Sequence, residues 1–168
     1  MKMKPSLCTA IAIACTATAT FVASPAAHAT GTSGNRIVGL WSNLAQVRPC
    51  GTDLPTSPAA QTLLFHGGGT VSDNPLFPPG GAPIEGGHYE RNQGLGTWEY
   101  NPTTNRYWIR LQFDNFMDGV FVGRTTIDRD ARLRKNGTEL VGSVWGRRYD
   151  AAGNLMFELC GSAVATRL

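Results

Sequence analysis

His66, His88, Cys50, Cys160 and the triplet Asp128-Arg129-Asp130 are among the side chains beyond residue 30 whose types and spacing could support metal, redox or acid–base chemistry. A zinc-like site needs several N, S or O ligands brought together. The spacing of the two histidines does not demand it: His66 stands ahead of Gly67-Gly68-Gly69, and His88 lies beside Tyr89, Glu90 and Arg91. Asp128 and Asp130 could begin a calcium loop, but Arg132 and Arg134 stand where further oxygen ligands would fall. The triplet therefore reads as a charged hairpin turn. Gly67-Gly68-Gly69 follows a strand-like run and opens no helix, which makes it a poor phosphate cradle. No Gly-x-Ser-x-Gly, Walker or His-Glu-x-x-His pattern occurs. On these grounds no catalytic residue, metal ligand or cofactor is expected. Asn136-Gly137-Thr138 is a glycosylation acceptor only in a eukaryotic secretory host.

The cysteines speak of compartment. Lys2 and Lys4, an Ala-rich apolar run from Leu7 to Val22, and Ala27-His28-Ala29 ahead of Thr30 have the pattern of a signal peptide over residues 1–29. No Arg-Arg pair precedes the apolar run, so the general secretory route is expected, with a periplasmic or extracellular destination. Ala12-Ile13-Ala14-Cys15 lacks the Leu that a lipoprotein site carries three residues before its Cys. Cys8 and Cys15 leave with such a leader, and Cys50 and Cys160 remain as a pair with no Cys-x-x-Cys spacing. In an oxidising compartment they read as a structural disulfide. By chain entropy alone that bond would stabilise by roughly 4–5 kcal/mol.

Residues 30–168 suffice for one domain with its own core. The full chain of 168 residues has a formal charge of +3. Two of its 15 basic residues fall in the leader, which leaves the rest nearly balanced against 12 acids. The arginines alternate with acids and form no concentrated patch, which argues against nucleic acid as a partner.

The elements that must position any site are nearly all strands. Ile37–Val47, Gln61–Val71, Gly94–Tyr100, Asn105–Asn115, Val120–Asp128, Ala131–Arg134, Thr138–Tyr149 and Leu155–Thr166 are strand-like runs. Alternation is plainest where Tyr107, Ile109, Leu111 and Phe113 interleave with Trp108, Arg110, Gln112 and Asp114. Asn101-Pro102, Asp118-Gly119, Asn136-Gly137 and Ala152-Gly153-Asn154 carry turn chemistry between the runs. About eight sequential strands predict an all-β fold, an antiparallel up-and-down barrel, with a sandwich as the alternative. Residues 72–93 break the pattern with Pro75, Pro78, Pro79, Pro83 and several glycines, and are expected to be a long loop without regular strand. Its Leu76, Phe77 and Ile84 suit a lid over a barrel mouth; a disordered surface insertion is the other reading.

Gly39-Leu40-Trp41 in the first run, the same Gly-x-Trp spacing at Gly96-Thr97-Trp98, the terminal disulfide and Arg167 near the end of the chain resemble the calycin superfamily. The likeness is to small secreted bacterial lipocalin-like proteins of unassigned activity, and it spans Ile37 to Leu168. It implies a calycin/lipocalin-like barrel in which Trp41 plugs one end and Arg167 packs on its ring. The C-terminal helix of true lipocalins, and the acidic turn after their third strand, are missing.

The aromatic residues Phe65, Trp98, Tyr100, Tyr107, Phe113, Phe121 and Trp145 are spread over most strands. Facing inward, they could line an apolar cavity for a small molecule; the plainer reading is that they simply form the core. Two function classes follow. One is a non-catalytic exported barrel that binds or carries a small apolar ligand under the 72–93 loop. The other is a barrel enzyme like the allene oxide cyclase-like calycins, which requires a buried carboxylate or histidine of perturbed pKa inside the cavity. A surface interaction module is a third possibility. Ligand and oligomeric state are left open.

Overall fold

In a computed structural model, residues 34–168 apart from Pro79 are described. The expected signal peptide at 1–29 lies outside the described residues. The chain runs through a 3-10 turn (Gly34–Ile37) and then β1 (Gly39–Pro49), β2 (Ser57–Phe65), β3 (Thr70–Pro75), β4 (Ala82–Ile84) and β5 (Gly87–Arg91). It continues through β6 (Gly94–Asn101), β7 (Arg106–Met117), β8 (Val120–Arg134), β9 (Glu139–Tyr149) and β10 (Leu155–Arg167). Alternation sets the facing of each strand. In β7, Tyr107, Ile109 and Leu111 are buried while Trp108, Arg110 and Gln112 face out.

Eight of these strands close into an antiparallel up-and-down barrel. Each pairs with its sequence neighbour, β3 pairing across to β6, and β1 joins β10 to complete the ring. The β4–β5 hairpin stands outside this ring and continues the sheet from the far end of β7, through Tyr89↔Met117 to Arg91↔Asn115. Closing so few strands demands sharp coiling, which bare backbone permits. A Cβ on Gly96 would lie 1.8 Å from the Arg110 carbonyl oxygen, and one on Gly161 would lie 1.9 Å from that of Gln46. The Cys50–Cys160 disulfide, with Cα atoms 5.0 Å apart, staples the β1–β10 seam.

Three boundaries differ from the sequence expectation. The run Gln61–Val71 is two strands, because the chain reverses at Gly67–Gly69 and His66 N–H donates to the Thr70 carbonyl at 2.9 Å. Gly68 and Gly69 take positive φ there, so glycine is a turn residue at these places. Val120–Asp128 and Ala131–Arg134 are instead one continuous strand, β8. Asp128-Arg129-Asp130 is therefore mid-strand and not a hairpin turn. Residues 72–93 are not devoid of strand either, since they hold the end of β3 and all of β4 and β5. Pro83 fits because β4 is the outermost strand of the sheet, where no ladder donor is needed.

One end of the barrel is filled. Trp41, Phe65, Leu63, Trp98, Tyr107 and Leu140 pack there with Ile37 from the 3-10 turn. The Trp41 indole N–H donates to the Ile37 carbonyl at 2.8 Å, and the Arg167 guanidinium lies 4.3 Å from the Trp41 ring centre. Arg167 also donates to the carbonyls of Val38 (2.8 Å), Gly137 (3.2 Å) and Arg36.

Candidate ligand-binding cavity

Beyond the filled end a cavity of about 710 Å³ opens toward the other mouth. Its wall comes from inward positions of successive strands: Ala45 and Val47 of β1, Leu111 and Phe113 of β7, Ile127 of β8, Val144 of β9 and Leu159 of β10. At the mouth, Leu76, Phe77 and Ile84 approach from the β3–β5 segment, opposite Met156 and Phe157. Phe77 meets the Tyr89 ring edge-on at 5.7 Å. These mouth residues keep much of their apolar surface exposed. A space of this size, mainly apolar with a few polar groups, has the ordinary character of a small-molecule site.

The charged groups bordering the cavity are Asp73, Arg91, Arg129 and Arg148. Asp73 is buried on β3 and takes both of its bonds, each 3.0 Å, from Nη2 of Arg91 on β5. Arg91 also reaches Gln61 and covers the Phe113 ring at 4.2 Å. Burial pushes the Asp73 carboxyl above its ordinary 3.8, against the opposing pull of Arg91 and Arg129. Nearer the mouth, Tyr89 donates to Asn115 Oδ1 at 2.5 Å, and Asn115 in turn donates to Thr125. Burial raises the Tyr89 hydroxyl above 10, although Arg148 and Arg91 favour its anion. Arg148 donates to Thr125 at 3.3 Å.

Arg129 lies at the boundary between the filled end and the cavity. Its β8 neighbour two residues on, Ala131, belongs to the core, and Ile127 two residues back belongs to the cavity wall. Its Nη1 donates to Asn43 Oδ1 across the barrel at 3.0 Å. Desolvation pulls the guanidinium down to about 10, with Asp73 opposing the shift, so Arg129 is a cation at neutral pH. Its Nε and Nη2, and Nδ2 of Asn43, have no hydrogen-bond partner.

The aromatic residues singled out from sequence are distributed unevenly. Phe113 borders the cavity. Phe65, Trp98 and Tyr107 belong to the packed core at the filled end, and Tyr100 leans on that core. Phe121 is 42 % exposed and meets Phe116 at 6.1 Å. Trp145 is also 42 % exposed, and it borders a shallow outer depression with Trp108 and Arg110. His66 contacts Ser72 Oγ at 3.1 Å, and His88 sits in the open 3.5 Å from Asp118. Nothing in the sequence marks Asp73 or Arg91, and Arg129 enters there only as the middle of a charged triplet. For Arg129 the missed signal was the alternation Thr125, Ile127, Arg129, Ala131, Leu133, which puts a charge in line with apolar neighbours.

No protein-family model and no curated protein matches the chain. Among solved structures, the crystal structure of Rv2717c from M. tuberculosis is similar over 86% of this chain and 98% of that one, with 15% identity and a TM-score of 0.39. Likeness at that level assigns no family. The closed eight-stranded barrel is consistent with a calycin-like architecture.

Proposed function

We propose that this barrel is an exported, non-catalytic protein that binds or carries one small, mainly apolar molecule in its interior. The observation that carries the reading is the 710 Å³ cavity, walled by apolar side chains and bordered at its mouth by Leu76, Phe77 and Ile84. In this reading Trp41 and Arg167 act as the stopper of the filled end, and the β3–β5 segment is the lid. The Cys50–Cys160 bond is compatible with export. Among the described residues no helix is long and apolar enough to cross a membrane.

The neutral fluorophore Nile red tests the reading. Purified protein is expected to bind it with a saturable, blue-shifted signal. Ala45→Phe, which fills the cavity wall, is expected to weaken binding at least tenfold while the protein stays folded by circular dichroism. A wild type that gives no saturable signal, or an A45F variant that binds as well, rules the cavity out as the site.

A catalytic reading has one observation in its favour. Asp73 is a buried carboxyl at the cavity with a raised pKa, as a barrel enzyme would need. Against it, both carboxylate oxygens are engaged by Arg91. Mass spectrometry of compounds extracted from the protein decides between the two. An enzyme returns a molecule altered by wild type and unaltered by Asp73→Asn, whereas a carrier returns the same molecule from both.

A further inference from the structure

Among the described residues, the buried side-chain polar atoms without a hydrogen-bond partner belong to Arg129 and Asn43, and all are donors. Arg129 Nε and Nη2 lie on one edge of the guanidinium plane, the edge whose two N–H groups run parallel and match a carboxylate side-on. Asn43 Nδ2 adds a third donor, from the same amide whose oxygen already holds Arg129 Nη1. A buried cation with open donors is costly unless an anion meets it. Asp73 is near enough to act on Arg129, but both of its carboxylate oxygens are bonded to Arg91 and none reaches the Nε–Nη2 edge. Three arginines and one aspartate border the cavity, which leaves its electrostatic balance positive.

Resting on the cavity reading above, we infer that the ligand is an amphipathic organic anion bound head-first, its carboxylate on the Nε–Nη2 edge of Arg129 and its apolar body running along Ala45, Ile127 and Phe113 toward Phe77 at the mouth. Both nitrogens are closed off from solvent, so seating the head group takes a small turn of the guanidinium toward the cavity it borders. The body then lies on apolar wall for its whole length. Arg148, on β9 beside Thr125 and so nearer the mouth than Arg129, attracts the anion on its way in.

Displacement of Nile red by dodecanoate, dodecanol and methyl dodecanoate tests this on the full domain. Dodecanoate is expected to compete at roughly tenfold lower concentration than the two neutral compounds, as a charge-assisted pair implies. With each compound's competition referred to that variant's own Nile red affinity, Arg129→Met is expected to bring the three compounds level. Equal competition by all three on wild type, or a dodecanoate preference that survives in R129M, overturns the inference and leaves the cavity reading standing. Failure of Nile red and all three compounds to bind overturns both. A second measurement is the ¹³C shift of [1-¹³C]dodecanoate, whose titration midpoint should lie lower in the wild-type complex than in the Arg129→Met complex. A midpoint that Arg129→Met leaves unchanged places the carboxyl away from Arg129 and overturns the inference.

Discussion

Asp73 and Arg129 set the electrostatics of the interior, and each has a consequence in solution. Burial holds the Asp73 carboxyl above the 3.8 of the unfolded chain, so the folded protein keeps this proton more tightly than the unfolded one. The stability it contributes is full below 3.8 and is lost as pH rises from there through the folded-state value. Urea midpoints measured across that window should fall with pH by a component that Asp73→Asn removes. If the difference between wild type and D73N is flat or rises with pH, then pairing with Arg91 outweighs burial. At this scale the sequence was partly legible. Trp41 and Arg167 stand out by type and position, and they face each other in the β1–β10 ladder. Arg129 did not stand out, because two flanking aspartates made the triplet look like solvated turn. In the strand, Asp128 and Asp130 turn outward to Arg110, Arg147 and Arg106, and only the central arginine turns in. The two-residue period of the strand, and not the local charge pattern, decides which of the three side chains turns in.

At the scale of elements, turns were easier to read than strand limits. Asp118-Gly119 and Asn136-Gly137 combine positive φ with residues that tolerate it, so their positions follow from backbone sterics. Gly67–Gly69 has the same chemistry but follows a strand-like run, and it was absorbed into a single strand. Gln61–Val71 spans two strands and Val120–Arg134 only one, so the number of barrel strands matches the sequence pattern although these boundaries do not. The β4–β5 hairpin was hidden by its prolines, which mark an outer strand as readily as a loop. The disulfide was legible from compartment and parity. It closes a separation of 110 residues, and its removal should cost about 4–5 kcal/mol by chain entropy. Guanidinium unfolding of Cys50→Ala/Cys160→Ala checks this. Nile red affinity should persist, since the β1–β10 ladder runs from Trp41↔Arg167 to Pro49↔Leu159 without the bond. A loss below about 1 kcal/mol points to a compact unfolded state that already brings these strands together.

Taken whole, the barrel presents two unlike surfaces. Outside, Asp128 is shared by Arg110 at 3.3 Å and Arg147 at 3.8 Å, and Arg147 continues to Glu158 at 3.6 Å. Such an ion-pair ladder stands where a membrane-spanning barrel carries an apolar band, and it suits an aqueous setting. Trp145 belongs to this outer side, with Arg147 over its ring at 4.1 Å. Strand phase decides such cases, and aromatic content could not, because Tyr107 and Trp108 give both faces of β7 an aromatic residue. The cavity itself is legible only as one use of an eight-stranded interior, since its volume depends on how little of that interior small wall residues such as Ala45 fill.

The seam that closes the barrel also fixes how the molecule can be held. Leu168 N–H bonds the Leu40 carbonyl at 3.0 Å, and Arg167 binds the carbonyl of Arg36, so Gly34 and Leu168 both emerge beside the filled end. Anything joined there, whether a surface, a fusion partner or a longer chain, leaves the opposite mouth facing outward. Protein immobilised at Gly34 or at Leu168 should therefore bind Nile red as tightly as protein free in solution. Attachment through a cysteine placed at Leu76 should block access, and a matrix-binding assay on the three orientations reads the difference directly.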